Sequence, residues 1–506
     1  MTILINGSKL TCNDIVHVAR NSEKVALDSA VKSKINNSRE VVEKYAKENK
    51  VAYGITTGVG KLCNELISRE QAAQLQKNIS LSHACGVGEP LSEEETRAIM
   101  ITRVNMLSVG YSGISPNVVE MLVSMLNEGI SPVLPRKGGV GSSGSLSIGA
   151  YIAQCISGIG NVMMEGAKVH AGEALHKKGL TPLVLQTKDC LSLINGTHSM
   201  CGIGSLAIHD LYLTIKASEI AASMSLEALY GNTAAFDKRI NEAKCHPGQQ
   251  VVGRNIIRMI EGSTLYKLKP RSVQDAYSYR CLPQVNGGAR DLLDFAQLLI
   301  EREINSASDN PLVFADDDVI LSCGNFHGEI PAIALDNTAI ACAVIANLSE
   351  RRISRMVDPQ CSGLPAFLTP NSGLNSGLMI PQYIAASLVS EIKLMANPVC
   401  IDSIPTSGGQ EDVVSNGTIA ANKARTAVSN LQTIIGIELL CAAQALDLSG
   451  RQDLGRGTSA AYNCIRQHIE QLKEDRFLEP DIMAATELVA SGEIVKETEK
   501  HIGSLE

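Results

Sequence analysis

Apolar and polar positions follow the helical period over most of this chain. Residues 24–49 carry Val25, Leu27, Val31, Ile35, Val41, Val42 and Tyr45 among many charges, which predicts an amphipathic helix with a break near Asn36-Asn37. Helical patterns resume over 69–83 and 92–108, after a glycine-rich stretch at 54–60. Residues 331–357, 380–397 and 417–447 are rich in Ala, Leu and Ile and apolar around much of their circumference. Helices of that kind are buried among other helices or between subunits. Strand patterns are few. Residues 2–5 alternate, Asn6-Gly7 signals a turn and 9–11 could return, which predicts a hairpin; 312–314 and 319–321 bracket an Ala-Asp-Asp-Asp turn in the same way. Strands and helices do not alternate at βαβ spacing, so the expected fold is mainly α, a central bundle of long helices. In chain order we expect a smaller, loop-rich N-terminal region over 1–200, the long-helix bundle over 201–450 and a C-terminal helical segment over 451–506.

Composition narrows the class of function. With 44% hydrophobic and 19% charged residues among 506, the chain is globular and long enough for a large core. A net charge of −8 without any run of Lys or Arg argues against a nucleic-acid partner and for a small molecule. The 14 cysteines are scattered singly, with no CxxC pair and no Cys/His cluster at zinc spacing, so neither a disulfide framework nor a metal site is expected. The first residues lack a charged segment followed by an apolar one, and no uninterrupted apolar run reaches the roughly 18–20 residues of a membrane span, so a cytoplasmic protein without membrane attachment is expected.

The densest glycine stretch, Gly138-Gly-Val-Gly-Ser-Ser-Gly-Ser-Leu-Ser-Ile-Gly149, contains a GxGxxG match. A dinucleotide fingerprint needs a strand before it, and Pro132, Pro135 and Arg136-Lys137 stand there instead. A P-loop needs Gly-Lys-Ser/Thr at its end, whereas Gly144 is followed by Ser145-Leu146. No nucleotide is expected. An apolar helix begins at once after the serines, leaving two readings: a capped structural loop, or a helix N-terminus whose backbone N–H groups favour developing negative charge.

Six further motifs in order make the chain resemble the aromatic amino acid ammonia-lyase family, most closely its histidine-specific members. They are Tyr53-Gly-Ile-Thr-Thr-Gly-Val-Gly-Lys61, Asn78-Ile-Ser-Leu-Ser-His83-Ala-Cys-Gly-Val-Gly-Glu89-Pro, Asn195-Gly-Thr, Gln274-Asp-Ala-Tyr277-Ser-Tyr-Arg280, Gly324-Asn-Phe326-His-Gly-Glu329 and Gln410-Glu411-Asp412. The resemblance implies an ammonia-lyase or fumarase-like helical fold, a homotetramer, and elimination of ammonia from L-histidine to give urocanate. It also implies an autocatalytic cofactor, 4-methylideneimidazol-5-one, formed from Ser142-Ser143-Gly144. The amide nitrogen of Gly144 would attack the carbonyl carbon of Ser142, and loss of two waters would leave an alkene derived from Ser143. Glycine suits that strained turn because it has no Cβ.

By the same resemblance Tyr53, Ser143 and Tyr277 would be catalytic, with Tyr53 removing the β-proton. His83, Asn195, Gln274, Arg280, Phe326 and Glu411 would bind substrate: Arg280 through a bidentate carboxylate pair, His83 and Glu411 through the imidazole. If residues 274–280 are helical, Gln274, Tyr277 and Arg280 share one face. From the residues alone, Tyr53 could equally be a packed loop tyrosine, Arg280 a structural charge and Glu411-Asp412 a solvated turn. The chain departs from the family pattern at Ser142, where Ala is usual, at Ser145, where Asp is usual, and at Val413-Val-Ser-Asn416, where histidine enzymes commonly have His-Val-Ser-Met. Those departures keep three alternatives open: cofactor-independent expulsion of trimethylamine from ergothioneine, a tyrosine ammonia-lyase or 2,3-aminomutase, and a non-catalytic helical scaffold.

Overall fold

A computed structural model describes residues 2–141, 144–268, 271–451 and 453–506. The chain forms two compact units, interleaved along the sequence. One comprises Met1–His209, Ala296–Asp336 and Pro398–Arg425; the other comprises Asp210–Phe295, Asn337–Asn397 and Thr426–Glu506.

The first unit opens differently from the sequence expectation. Thr2–Ile5 pairs in parallel with Lys24–Leu27, not with residues 9–11. Thr11 caps the helix Cys12–Asn21 instead: its hydroxyl accepts from the Asp14 N–H at 3.1 Å, and the Asp14 carboxylate accepts from the Thr11 N–H at 3.0 Å. This reciprocal capping box starts a helix where a return strand was expected. Residues 24–27, expected to be helical, are held as strand by Asn127, whose side chain bonds both the N–H and the carbonyl of Val25. The helix then runs unbroken over Ser29–Lys47, because Asn36 and Asn37 fall on its exposed face while Val31 and Ile35 are buried.

Helix Glu93–Ser108 is the centre of this unit, buried at every residue from Glu95 to Ser108. Its arginines donate to backbone carbonyls of other elements: Arg97 to Val18 and Leu126, and Arg103, through its two terminal nitrogens, to Ser308 and Ser192. The expected hairpin Leu312–Phe314 with Val319–Leu321 is antiparallel, with Leu312 opposite Leu321 and Phe314 opposite Val319.

The second unit is helical throughout its regular elements among the described residues. Charges pair inside it: Arg352 with Glu438 at 2.5 Å, both fully buried, and Arg290 with Glu219 at 2.8 Å. The longest helices are His198–Ala228, Glu329–Val357 and Gly417–Ser449, and the last two match the expected apolar segments. Both contain an 18-residue window apolar enough to cross a membrane, but 61% and 83% of those windows are buried within the protein, as in core helices.

Candidate active site

Three loops of the first unit meet around a cavity of about 540 Å³, within the roughly 300–1,000 Å³ of small-molecule sites. Its lining includes Tyr53, Lys61, His83, Gly144, Asn195, Thr406 and Glu411. Five expected site residues, far apart in the sequence, are thus brought together: Tyr53, His83, Gly144, Asn195 and Glu411.

Gly144 is fixed by what it touches. It runs beside Gly196 as an isolated parallel bridge, with φ at +79°, and a Cβ placed on it would lie 1.8 Å from the Gly196 carbonyl oxygen. Only glycine fits there. Helix Leu146–Ile156 follows at once and packs on helix Asp189–Ile194, where a Cβ on Gly149 would come within 2.5 Å of the Ile194 Cα. That close approach brings the start of one helix beside the end of the other, where Asn195 sits. Ser145 is the N-cap residue, yet its hydroxyl makes no capping bond and lies 3.3 Å from the Thr418 hydroxyl. Upstream, the Val140 carbonyl accepts from the Asn416 N–H at 2.7 Å, and the Gly141 carbonyl accepts from the Gly328 N–H and the Ser415 hydroxyl. Ser142 and Ser143 lie outside the described residues.

The Asn195 turn rests on buried charge that sequence reasoning missed. Lys188 donates to Asp309 and to Ser192, each at 2.9 Å, with Lys188 and Asp309 fully buried. Arg103 donates to the carbonyls of Ser192 and Ser308; burial pushes its guanidinium down to about 10, against the attraction of Asp309. The Thr197 hydroxyl donates to Glu303 at 2.6 Å, and the Asn195 amide donates to the Asn310 carbonyl at 2.9 Å. Lys188 and Asp309 are 121 residues apart in sequence, and no local pattern joins them. Lys188→Met would leave Asp309 buried and unpaired, so we expect a loss of about 3–5 kcal/mol in urea unfolding, with Lys188→Met/Asp309→Leu recovering most of it.

The Tyr53 hydroxyl accepts from the Gly60 N–H at 2.9 Å. Burial pushes its pKa above the usual phenol value and the nearby Glu411 adds to that, while the Gly60 N–H opposes both. His83 is half-buried, its Nδ1 3.0 Å from the Ser82 hydroxyl. Burial holds it below the usual imidazole value, opposed by a hydrogen bond to Ile79 and by Glu411. Glu411 accepts from the Thr406 hydroxyl at 2.9 Å and lines the cavity, whereas Asp412 is exposed.

Four expected residues are not in this lining. Phe326 belongs to the first unit and is half-buried in the turn before helix Glu329–Val357. Gln274, Tyr277 and Arg280 belong to the second unit. Only Tyr277–Arg280 is helical, so Gln274 does not share a helix face with the other two. Tyr277 is 69% exposed, with the Arg280 guanidinium over its ring at 4.4 Å. Among the described residues no group of three or more His, Cys, Asp or Glu is arranged to hold a metal ion.

The aromatic amino acid lyase family profile matches residues 10–467. The chain is 47% identical over 502 residues to the histidine ammonia-lyase of Alkaliphilus oremlandii, covering 99% of both chains. Among solved structures it resembles histidine ammonia-lyase from Trypanosoma cruzi, with a TM-score of 0.92 and 34% identity over 99% of this chain and 96% of that one. It also resembles the ergothioneine-degrading ergothionase of Treponema denticola, with a TM-score of 0.93 and 28% identity over 98% of this chain and 100% of that one.

Proposed function

Because this chain belongs to the aromatic amino acid lyase family and is an ammonia-lyase, we propose that it eliminates ammonia from L-histidine to give urocanate. The observation that carries this reading is one cavity lined by a tyrosine, a histidine, a glutamate and the glycine turn that follows Ser142-Ser143. The 47% identity to a histidine ammonia-lyase supports it over ergothioneine cleavage, for which the likeness is 28%.

The surroundings of Gly144 suit closure of Ser142-Ser143-Gly144 into 4-methylideneimidazol-5-one. Residue 144 has a left-handed turn and no room for a side chain. That ring, once formed, would supply an electrophile that makes an amine a better leaving group. The chain's own residues do the rest. Glu411 and His83 hold the imidazole, a polar pair that discriminates against an apolar ring. Asn195 lines the same cavity as Gly144. Tyr53, in the same lining, takes the β-proton. Arg280, Tyr277 and Gln274 handle the carboxylate and the amine, and Phe326 lines the ring, within a cytoplasmic homotetramer whose sites are built from several chains.

The test joins intact mass to product formation. The purified protein is expected to weigh two water molecules less than its chain and to convert L-histidine to urocanate and ammonia. An unmodified mass with release of trimethylamine from ergothioneine would overturn both the cofactor and the substrate.

A further inference from the structure

The turn that carries Glu411 is closed by Thr406. The two residues form an isolated antiparallel bridge, with Thr406 N–H to Glu411 carbonyl at 2.8 Å and Glu411 N–H to Thr406 carbonyl at 3.3 Å. Between them Ser407, Gly408 and Gly409 all take left-handed φ, at +52°, +61° and +83°. So tight a reversal puts the two side chains on the same face, and the Thr406 hydroxyl donates to Glu411 Oε2 at 2.9 Å. Both residues line the cavity with Tyr53 and His83.

The same turn touches the tyrosine loop. The Ser407 hydroxyl accepts from the Lys61 N–H at 3.4 Å, and a Cβ on Gly60 would lie 2.6 Å from it. Gly60 in turn donates to the Tyr53 hydroxyl. A glutamate has three rotatable side-chain bonds, and a carboxylate that must meet an imidazole edge-on gains from being held in one rotamer before substrate arrives. The backbone bridge fixes where the Glu411 Cα lies; the threonine hydroxyl fixes where its oxygens point.

We propose that Thr406 is a positioning residue that aims the Glu411 carboxylate at the imidazole of the substrate. This rests on the reading of the cavity as a histidine site. Thr406→Val keeps the volume, the β-branch and both backbone bonds of the bridge, and removes only the hydroxyl. It is expected to raise KM for L-histidine about tenfold, the order of one hydrogen bond to a charged group, with kcat changed less than about threefold. Thr406→Ser restores the donor and is expected to return KM to within about twofold of the unsubstituted protein. In a Glu411→Gln background the valine substitution should cost little further, because the charged acceptor it serves is gone.

Calorimetric titration with 4-methylimidazole reads ring recognition without turnover. If the protein releases ammonia from L-histidine and Thr406→Val leaves KM unchanged, or lowers kcat alone, the positioning role is overturned and the function stands. If it does not act on L-histidine but binds 4-methylimidazole about tenfold more weakly as Thr406→Val, the substrate reading falls and the positioning role stands. Absence of both turnover and 4-methylimidazole binding overturns both.

Discussion

Gly144→Ala is expected to abolish ammonia release from L-histidine, by at least about 10³-fold, and to leave the purified chain at its unmodified mass. The methyl group it adds would lie 1.8 Å from the Gly196 oxygen, 2.4 Å from its carbonyl carbon and 2.7 Å from its nitrogen. These are backbone atoms, which cannot rotate away as a side chain would. Nor can Gly196 retreat, since a Cβ there would already meet the Ser308 carbonyl at 2.3 Å and Arg103 Nη1 at 2.8 Å. Alanine at a left-handed φ of +79° adds about 1–3 kcal/mol of backbone strain. The turn and the Asn195 segment must therefore separate. Any ring closure that needs the residue 144 nitrogen beside the carbonyl of residue 142 loses its geometry, while the helices on either side keep their packing. Urea unfolding should show a folded protein of reduced stability. A folded Gly144→Ala protein that still carries the mass loss of two waters would show that closure does not depend on this contact.

Parts of this arrangement are legible in the sequence and parts are not, for physical reasons. The helices at 93–108, 329–357 and 417–449 announce themselves because their period is local and long. The first 27 residues misled because their signals are short. Asn6-Gly7 suits a hairpin, but a capping box at Thr11 and the side chain of Asn127, 102 residues distant from Val25, decide otherwise. Among candidate site residues, Tyr53, His83, Asn195 and Glu411 sit in motifs with distinctive neighbours, and the fold gathers them in one cavity. What holds them there was invisible. Lys188, Asp309 and Arg103 are ordinary charges until folding buries them together under Asn195. Thr406 had a local signal, a small polar residue before Ser-Gly-Gly and five positions ahead of Glu411, but the spacing acquires meaning only once the turn is seen to close.

Tyr53→Phe is expected to lower kcat/KM for L-histidine by about 10²–10⁴, the range for a positioned general base. The substitution removes one oxygen and one accepted hydrogen bond, from Gly60, so the fold should persist and the loss should be chemical. The pH profile separates a base from a packing tyrosine. Only the deprotonated phenol can take a proton, and burial together with Glu411 raises the Tyr53 pKa above the ordinary value near ~10. In the free enzyme the active fraction therefore grows tenfold per pH unit below that pKa, so kcat/KM should climb through the alkaline range without reaching a plateau while the fold is intact. Tyr53→Phe should flatten that alkaline limb. Equal profiles for the two proteins would assign the β-proton to another group and leave Tyr53 as part of the wall.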